Sequence, residues 1–435
     1  MPQSNETLSR RDWLRFAAAP ALLPLSSWIL PRLALAAPRN DSQRSLAKGK
    51  GCIMIFMKGG LSQHHTFNVP ERDQPVPTIE TSVPGIRIAE SFPSFAKQMH
   101  HVALLRGMST GNSNHEAADH LMHTGYLPNP SVRRPSTGNV ASEQLGRLDA
   151  DLPNFVYIVG GSVDGLGVRP HRPHPGYVGA RHAPVTVEDP GRGLEFMQPG
   201  VGMAEFDASA NLINQLNRRY LDTYQSPGAG SQHAATQKAL QLLHSNKAGA
   251  FDLGKESPAT IEAYGTAHSF GKACLLARRL VEFGVPFVEI MVNGWDDHGG
   301  AQKKIPGRTY IDQGMASLLA DLHDRGMLES TLVMCLSEFG RTPNLGTGYN
   351  QSLGSGHYAK AWTAWMAGGG IKGGQVIGKT DDGGAEVIER PISAQEFHAT
   401  VCQSLGLDPR KQYETPDGRP MQYLENSAKP IAELF

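Results

Sequence analysis

Five apolar runs, each closed by glycine or polar residues, set the strongest limit on what this chain can become. "GKGCIMIFMKGG", "HHVALLRGMS", "PNFVYIVGG", "VPFVEIMVNGWDDHGG" and "STLVMCLSEFGR" have the length of strands and are too uniformly apolar to leave one face in water. Helical spacing appears between them. "RTYIDQGMASLLADLHDRGML" stops at Gly326, and "SPATIEAYGTAHSFGKACLLARRLVEFG" reads as one long amphipathic helix from Ser257-Pro258 to Gly284. Strands alternating with such helices predict an α/β fold: a doubly wound, mostly parallel sheet with helices on both faces. Residues 160–200, aperiodic and rich in Gly, Pro and His, read as a long loop excursion, and no internal repeat is evident.

In sheets of this kind ligands bind beyond the carboxyl ends of the strands. Polar motifs fall there. Gln63-His64-His65 follows the first run, Asn114-His115 the second, Asp296-Asp297-His298 the fourth, and Glu338-Phe339-Gly340-Arg341 the fifth, while His357 follows a glycine-rich loop. Two or three oxygen donors with two imidazoles suit a divalent metal such as zinc, manganese or calcium. Arg341 is either an anion clamp or the partner of Glu338. Ser113 and Glu116 have capping-box spacing, so a helix is expected to start there with His115, Asp119 and His123 along one face. That face either serves an anionic substrate at the helix N-terminus or is a polar face packed under a loop.

The N-terminus carries Ser9-Arg10-Arg11-Asp12-Trp13-Leu14-Arg15, an apolar stretch broken by Pro20 and Pro24, and Ala34-Leu35-Ala36. This pattern predicts a twin-arginine signal peptide over 1–36, recognised by the twin-arginine export machinery, and a single mature domain over 37–435 that is periplasmic or extracellular. The alternative is an amphipathic anchor. No later segment is long and apolar enough to span a bilayer. Lys+Arg and Asp+Glu are equal at 41 each, which argues against a nucleic-acid partner. Cys52, Cys274, Cys335 and Cys402 lie in apolar runs without metal-binding spacing and are expected to be buried free thiols, although one disulfide would fit an oxidising compartment.

Taken together, "IFMKGGLSQHHTFN", "MSTGNSNHEAADHLMHTGYLP", "GWDDHGGA", "TLVMCLSEFGRTPN", "AWMAGGGIKGGQVIGKTDDGG" and "RPISAQEFHATVCQSLGLDP" resemble a secreted bacterial family, domain of unknown function 1501, grouped with the alkaline phosphatase and sulfatase clan. The resemblance runs over nearly all of the mature chain. It implies an alkaline phosphatase-like doubly wound sheet and a metal-dependent hydrolase of phosphate or sulfate esters, with a small anionic ester or glycan as substrate. By this resemblance Asp296 and His298 stand at the clan's Asp/His metal motif, Glu338 at an Asp-His-Gly motif, and His357 at its last metal histidine. The departures are as informative. Glu338-Phe339 replaces an Asp-His pair, and Ser62-Gln63-His64-His65-Thr66-Phe67-Asn68 lacks two carboxylates and one histidine of the clan's pattern, though His64 and His65 are substitute ligands. The nucleophile position holds His115, so a formylglycine sulfatase is not expected; Ser113 or Ser109 is a candidate nucleophile, and a histidine can carry a phosphoryl group. Two readings follow: an exported hydrolase, or a non-catalytic binding or surface-assembly protein that has lost part of the catalytic set.

Overall fold

The computed structural model describes residues 48–72, 74–147, 149–162, 172–194, 201–224, 227–299, 301–346 and 350–435. The leader expected over 1–36 lies outside the described residues, and the described residues from 48 to 435 belong to one compact unit that holds the whole sheet.

All five apolar runs become strands: β1 Gly51–Met57, β2 Val102–Met108, β3 Phe155–Ser162, β5 Phe287–Asn293 and β6 Thr331–Leu336. Three strands join them, β4 Val185–Val187, β7 Trp362–Ala367 and β8 Gln375–Ile377. The order across the eight-stranded sheet is β8-β2-β7-β6-β1-β5-β3-β4. Every neighbouring pair is parallel except those of β7, which runs antiparallel to β2 and β6.

The main helices are α1 His115–Thr124, α2 Thr137–Gln144, α3 Met203–Tyr224, α4 Pro227–Leu243, α5 Ser269–Glu282, α6 Thr309–Asp324 and α7 Ala394–Leu405. Period-two alternation divides β1 between two cores. Ile53, Ile55 and Met57 pack with α5 and α6, and Cys52, Met54 and Phe56 with residues of α1, α2 and α7. Each such fully buried aliphatic or aromatic side chain contributes about 1.5–3 kcal/mol. The sheet is therefore covered on both faces, as uniformly apolar strands require. Among the described residues no helix is long and apolar enough to cross a membrane.

Three expectations need correction. The helix read over Ser257–Gly284 is two helices, Pro258–Ala263 and α5, because the chain turns at Gly265 with φ +65°. The turn folds its own carbonyls onto α5, so a Cβ at Gly271 would stand 2.2 Å from the Tyr264 oxygen. Within the 160–200 excursion the described residues include two 3-10 turns, Gly176–Val178 and Ala180–His182, and the edge strand β4; 163–171 and 195–200 lie outside the described residues. Helix α1 starts one residue later than the Ser113–Glu116 spacing implied. Asn114 is its cap, accepting the Ala117 N–H at 3.1 Å, and Gly125 closes it with φ +81°. The four cysteines are buried and none is disulfide-bonded.

Candidate metal centre

Register brings distant residues to one edge. β1 pairs Met57 with Val292 of β5 and Phe56 with Leu336 of β6, so Lys58-Gly59-Gly60, Gly294-Trp295-Asp296 and Ser337-Glu338 leave the sheet side by side. Two glycines let these segments touch. Gly59 has φ +123°, and a Cβ there would lie 2.3 Å from the Asp296 nitrogen; Gly60 has φ +90° and is closed in by the Phe339 ring. Backbone thus does what side chains do elsewhere. The Gly59 N–H donates to both Glu338 carboxylate oxygens at 2.9 and 3.1 Å. The buried Arg341 guanidinium donates to the Gly60 carbonyl at 2.9 Å, to the Trp295 carbonyl at 3.2 Å and to the Gly59 carbonyl.

Arg341 also donates to Asp296 Oδ1 at 2.5 Å, and three imidazoles converge on the same carboxylate. His357 Nε2 is 3.0 Å and His298 Nε2 2.9 Å from Oδ1, and His115 Nε2 is 3.3 Å from Oδ2. The other nitrogen of each ring is held by a different group. His115 Nδ1 meets Glu338 at 2.7 Å, His298 Nδ1 meets Asn350 Oδ1 at 2.9 Å, and His357 Nδ1 meets the Ser113 carbonyl at 3.0 Å. A carbonyl only accepts, so His357 carries a proton on Nδ1; in the neutral ring Nε2 then holds the lone pair a metal would take, and in the protonated ring it donates to Asp296 at 3.0 Å. Glu338 imposes the same tautomer on neutral His115. The ligand atoms of His115, Asp296 and His357 all lie within 4.8 Å of one another. His115 Nε2 is buried, and although it sits within ion-pair range of Asp296 it has no aligned hydrogen-bond partner. That orphaned nitrogen, a carboxylate and two further imidazoles are a donor set that fits a divalent ion.

The same carboxylates favour a proton on His115, which a metal would have to displace. Burial lowers the His115 pKa, but the nearby Asp296 and Glu338 carboxylates outweigh it and push it up to about 9. Burial raises the Asp296 pKa, while His115, His357 and Arg341 together hold the carboxyl well below its ordinary range.

The remaining candidates stand elsewhere. Glu338 faces no open space: it is wholly buried and bonded to Gly59, His115 and Ser337, so it holds a ligand candidate instead of being one. Arg341 neither pairs with Glu338 nor reaches solvent, because backbone carbonyls and Asp296 take it inward. His64 is buried with Nε2 3.0 Å from the Arg341 carbonyl, and burial lowers its pKa to about 3. His65 meets Ser62 Oγ at 2.7 Å, and burial lowers its pKa to about 4. Neither joins the Asp296 cluster. Ser113 is exposed and contributes its carbonyl. Asp297 turns away to Lys304 at 2.7 Å and Arg308 at 3.0 Å.

The face read along α1 splits in two. His115 faces the centre, while Asp119 and His123 lie beneath it in a buried charge network. Lys58 pairs with Asp119, Asp119 with His123 Nδ1 at 2.8 Å, and His123 Nε2 with Glu289 at 3.1 Å. Burial lowers the His123 pKa, but Asp119 and Glu289 hold the imidazolium, pushing it well up. Glu289, Lys58, Gly59 and Asn350 were not singled out from the sequence. Only Glu289 announces itself there, as a carboxylate inside the run "FVEIMVN".

The chain belongs to the family described as "Protein of unknown function (DUF1501)", which matches residues 49–435. No curated protein matches it. Among solved structures it is similar to the lipoteichoic acid synthase LtaP from Listeria monocytogenes, at 10% identity and TM-score 0.38, over 83% of this chain and 73% of that one. It is also similar to the PsFucS1 sulfatase from Pseudoalteromonas sp., at 13% identity and TM-score 0.39, over 85% and 72%. The alkaline phosphatase from the Antarctic bacterium TAB5 overlaps at 12% identity and TM-score 0.35, over 83% and 99%. Overlaps this slight say nothing about what the chain acts on.

Proposed function

We propose that this member of the family is an exported, metal-dependent hydrolase of phosphate or sulfate esters. One observation carries the reading: three imidazoles present Nε2 to Asp296 while each Nδ1 is fixed by a separate partner. His115, Asp296 and His357 are the proposed ligands, with His298 beside them, and this nitrogen-rich set favours zinc or manganese over calcium. A divalent ion held there would polarise an ester oxygen and bring the pKa of a bound water toward neutrality. The chain's own residues do the rest. Arg341 anchors Asp296 and keeps it ionised, Glu338 turns the His115 lone pair outward, and Ser113 does the same for His357 through its carbonyl. The substrate class is a small anionic ester or an esterified glycan.

The second reading, a non-catalytic binding or surface-assembly protein that has lost part of the catalytic set, is favoured by the inward turn of Arg341, which spends its donors on backbone carbonyls and Asp296. Metal content and turnover separate the two. Purified protein is analysed for bound metal, then assayed on aryl phosphates and aryl sulfates with zinc, manganese, calcium or magnesium. The hydrolase reading expects metal, turnover, and loss of both in Asp296→Asn. Folded protein without turnover under any metal ends the hydrolase reading, and folded protein that takes up no metal favours the binder. For export, Arg10→Lys with Arg11→Lys should leave the precursor in the cytoplasm; normal processing of that variant would remove the twin-arginine assignment.

A further inference from the structure

The loop that follows α1 walls a cleft of about 490 Å³ whose polar lining is rich in arginine and histidine. Its floor is buried, His123 and Thr124 at the end of α1, and its rim is exposed, Arg133 and His174. Among the described residues no carboxylate lines it. The two acids that His123 meets, Asp119 and Glu289, belong to the buried network with Lys58.

The arginines of this cleft have no counter-charge. Arg147 pairs with Asp149 at 2.7 Å and Arg172 with Glu188, whereas among the described residues Arg133 and Arg134 form no ion pair. Arg134 rests on neutral groups. Its guanidinium carbon stands 3.4 Å from the centre of the Tyr126 ring, beside the Tyr126 and Tyr177 hydroxyls, and its Nη1 is enclosed with no aligned hydrogen-bond partner. A cation closed in without a compensating anion is costly. His174 adds a donor that needs no charge: its Nδ1 accepts the Gly176 N–H at 2.9 Å, so the neutral ring carries its proton on Nε2. These groups are held before any ligand arrives. Gly176 has φ +50°, and a Cβ on it would lie 2.4 Å from the Pro135 nitrogen and 2.5 Å from the Arg133 oxygen, so the segment bearing His174 is pressed onto the one bearing both arginines.

We infer that this cleft binds the phosphate or sulfate group of a small molecule, with Arg133, Arg134 and His174 as its donors. The volume exceeds that of a bare oxyanion, and Pro128, Pro130 and Val132 supply apolar wall, so the group arrives on a ring-sized body such as a sugar. No residue of the metal centre lines the cleft, and the inference does not rest on the proposed hydrolase.

Isothermal titration of the purified chain, freed of metal by a chelator, with glucose 6-phosphate, glucose 6-sulfate and inorganic phosphate tests this. At least one ester should bind one-to-one, and more tightly than inorganic phosphate. Arg133→Gln, an exposed change that should leave the melting temperature in place, and Arg134→Gln should each weaken binding at least about ten-fold. Arg134→Lys should not restore it, because an ammonium lacks the planar fork. Asp296→Asn, which removes a proposed metal ligand, should bind the ester as the parent does, so this site and the metal centre stand or fall separately. Folded protein that binds neither ester, or binds it equally well as Arg133→Gln, overturns the site. Inorganic phosphate bound as tightly as the esters overturns the ring-sized ligand.

Discussion

Replacing Glu338 with glutamine keeps the shape of the side chain and changes what it can offer. The carboxylate meets His115 Nδ1 at 2.7 Å, the Gly59 N–H at 2.9 and 3.1 Å, and Ser337 Oγ at 3.0 Å. Glutamine retains one acceptor oxygen, which His115 and Gly59 can still share, and puts an NH2 in place of the other. Ser337 Oγ has no lone pair left for that donor, because it already accepts from the Gly60 and Leu61 N–H groups at 3.1 Å and donates toward the Met57 carbonyl at 2.6 Å. A buried donor without an acceptor costs about 1–3 kcal/mol of stability. The His115 bond also changes, from charge-assisted at about 1.5–3 kcal/mol to neutral at about 0.5–1.5. The difference, about 1–1.5 kcal/mol, falls on the orientation of His115, so metal affinity should drop about ten-fold. Urea denaturation measures the first quantity and competition with a chromophoric chelator the second. Because Glu338 acts through His115, the affinity loss should disappear when Glu338→Gln is made in a His115→Ala background. Unchanged affinity in the single variant refutes the role of Glu338 as the holder of His115. A ten-fold loss that persists without His115 would mean that Glu338 contacts the metal itself.

Lys58→Met removes the ammonium paired with buried Asp119 and should lower stability by about 3–5 kcal/mol, with part of the loss recovered in Lys58→Met, Asp119→Leu, as urea midpoints will show. Burial lowers the His398 pKa to about 4, against about 6.5 unfolded, so between those values the unfolded chain binds a proton that the folded chain refuses and stability falls as pH falls. Stability of His398→Gln should accordingly be flatter over pH 4.5–6 than that of the parent, by about 1.4 kcal/mol per pH unit; parallel curves would contradict the buried neutral imidazole. Cys52 and Cys335 sit fully enclosed in β1 and β6, and burial pushes both thiols up, so a bulky thiol reagent should label them only on unfolding. Fast labelling of folded protein would displace both strands.

The strands were legible because uniform apolar runs closed by glycine leave few alternatives. The edge that gathers the site was legible for the same reason: parallel strands put their carboxyl ends together. Which polar residue does what was not legible. Glu338 and His115 are 223 positions apart, and nothing in either motif says that one holds the other. Arg341 reads equally well as a clamp or a pair, and its inward turn depends on carbonyls of Gly59, Gly60 and Trp295 that sequence does not orient. Strand β7 was missed because "WTAWMA" is short and its direction departs from the parallel rule, and the single long helix read over 257–284 failed at Gly265, a residue tolerated in a helix unless its neighbours demand a left-handed turn.

The Gly59-Gly60 corner has a consequence for the order in which the molecule assembles. The Gly59 N–H and the two carbonyls hold Glu338 and Arg341, and Arg341 holds Asp296, so residues from near position 60, near 300 and near 340 are fastened through a patch of backbone that has no side chain of its own. None of these links is local. The links to Gly59 and Gly60 wait for β6 to find β1 across more than 200 residues, and Arg341 reaches Asp296, 45 positions away, once β5 and β6 flank β1, closures of the kind that form slowly. The proposed metal centre is therefore expected to form late, so metal uptake followed during refolding should rise only with the last, global phase.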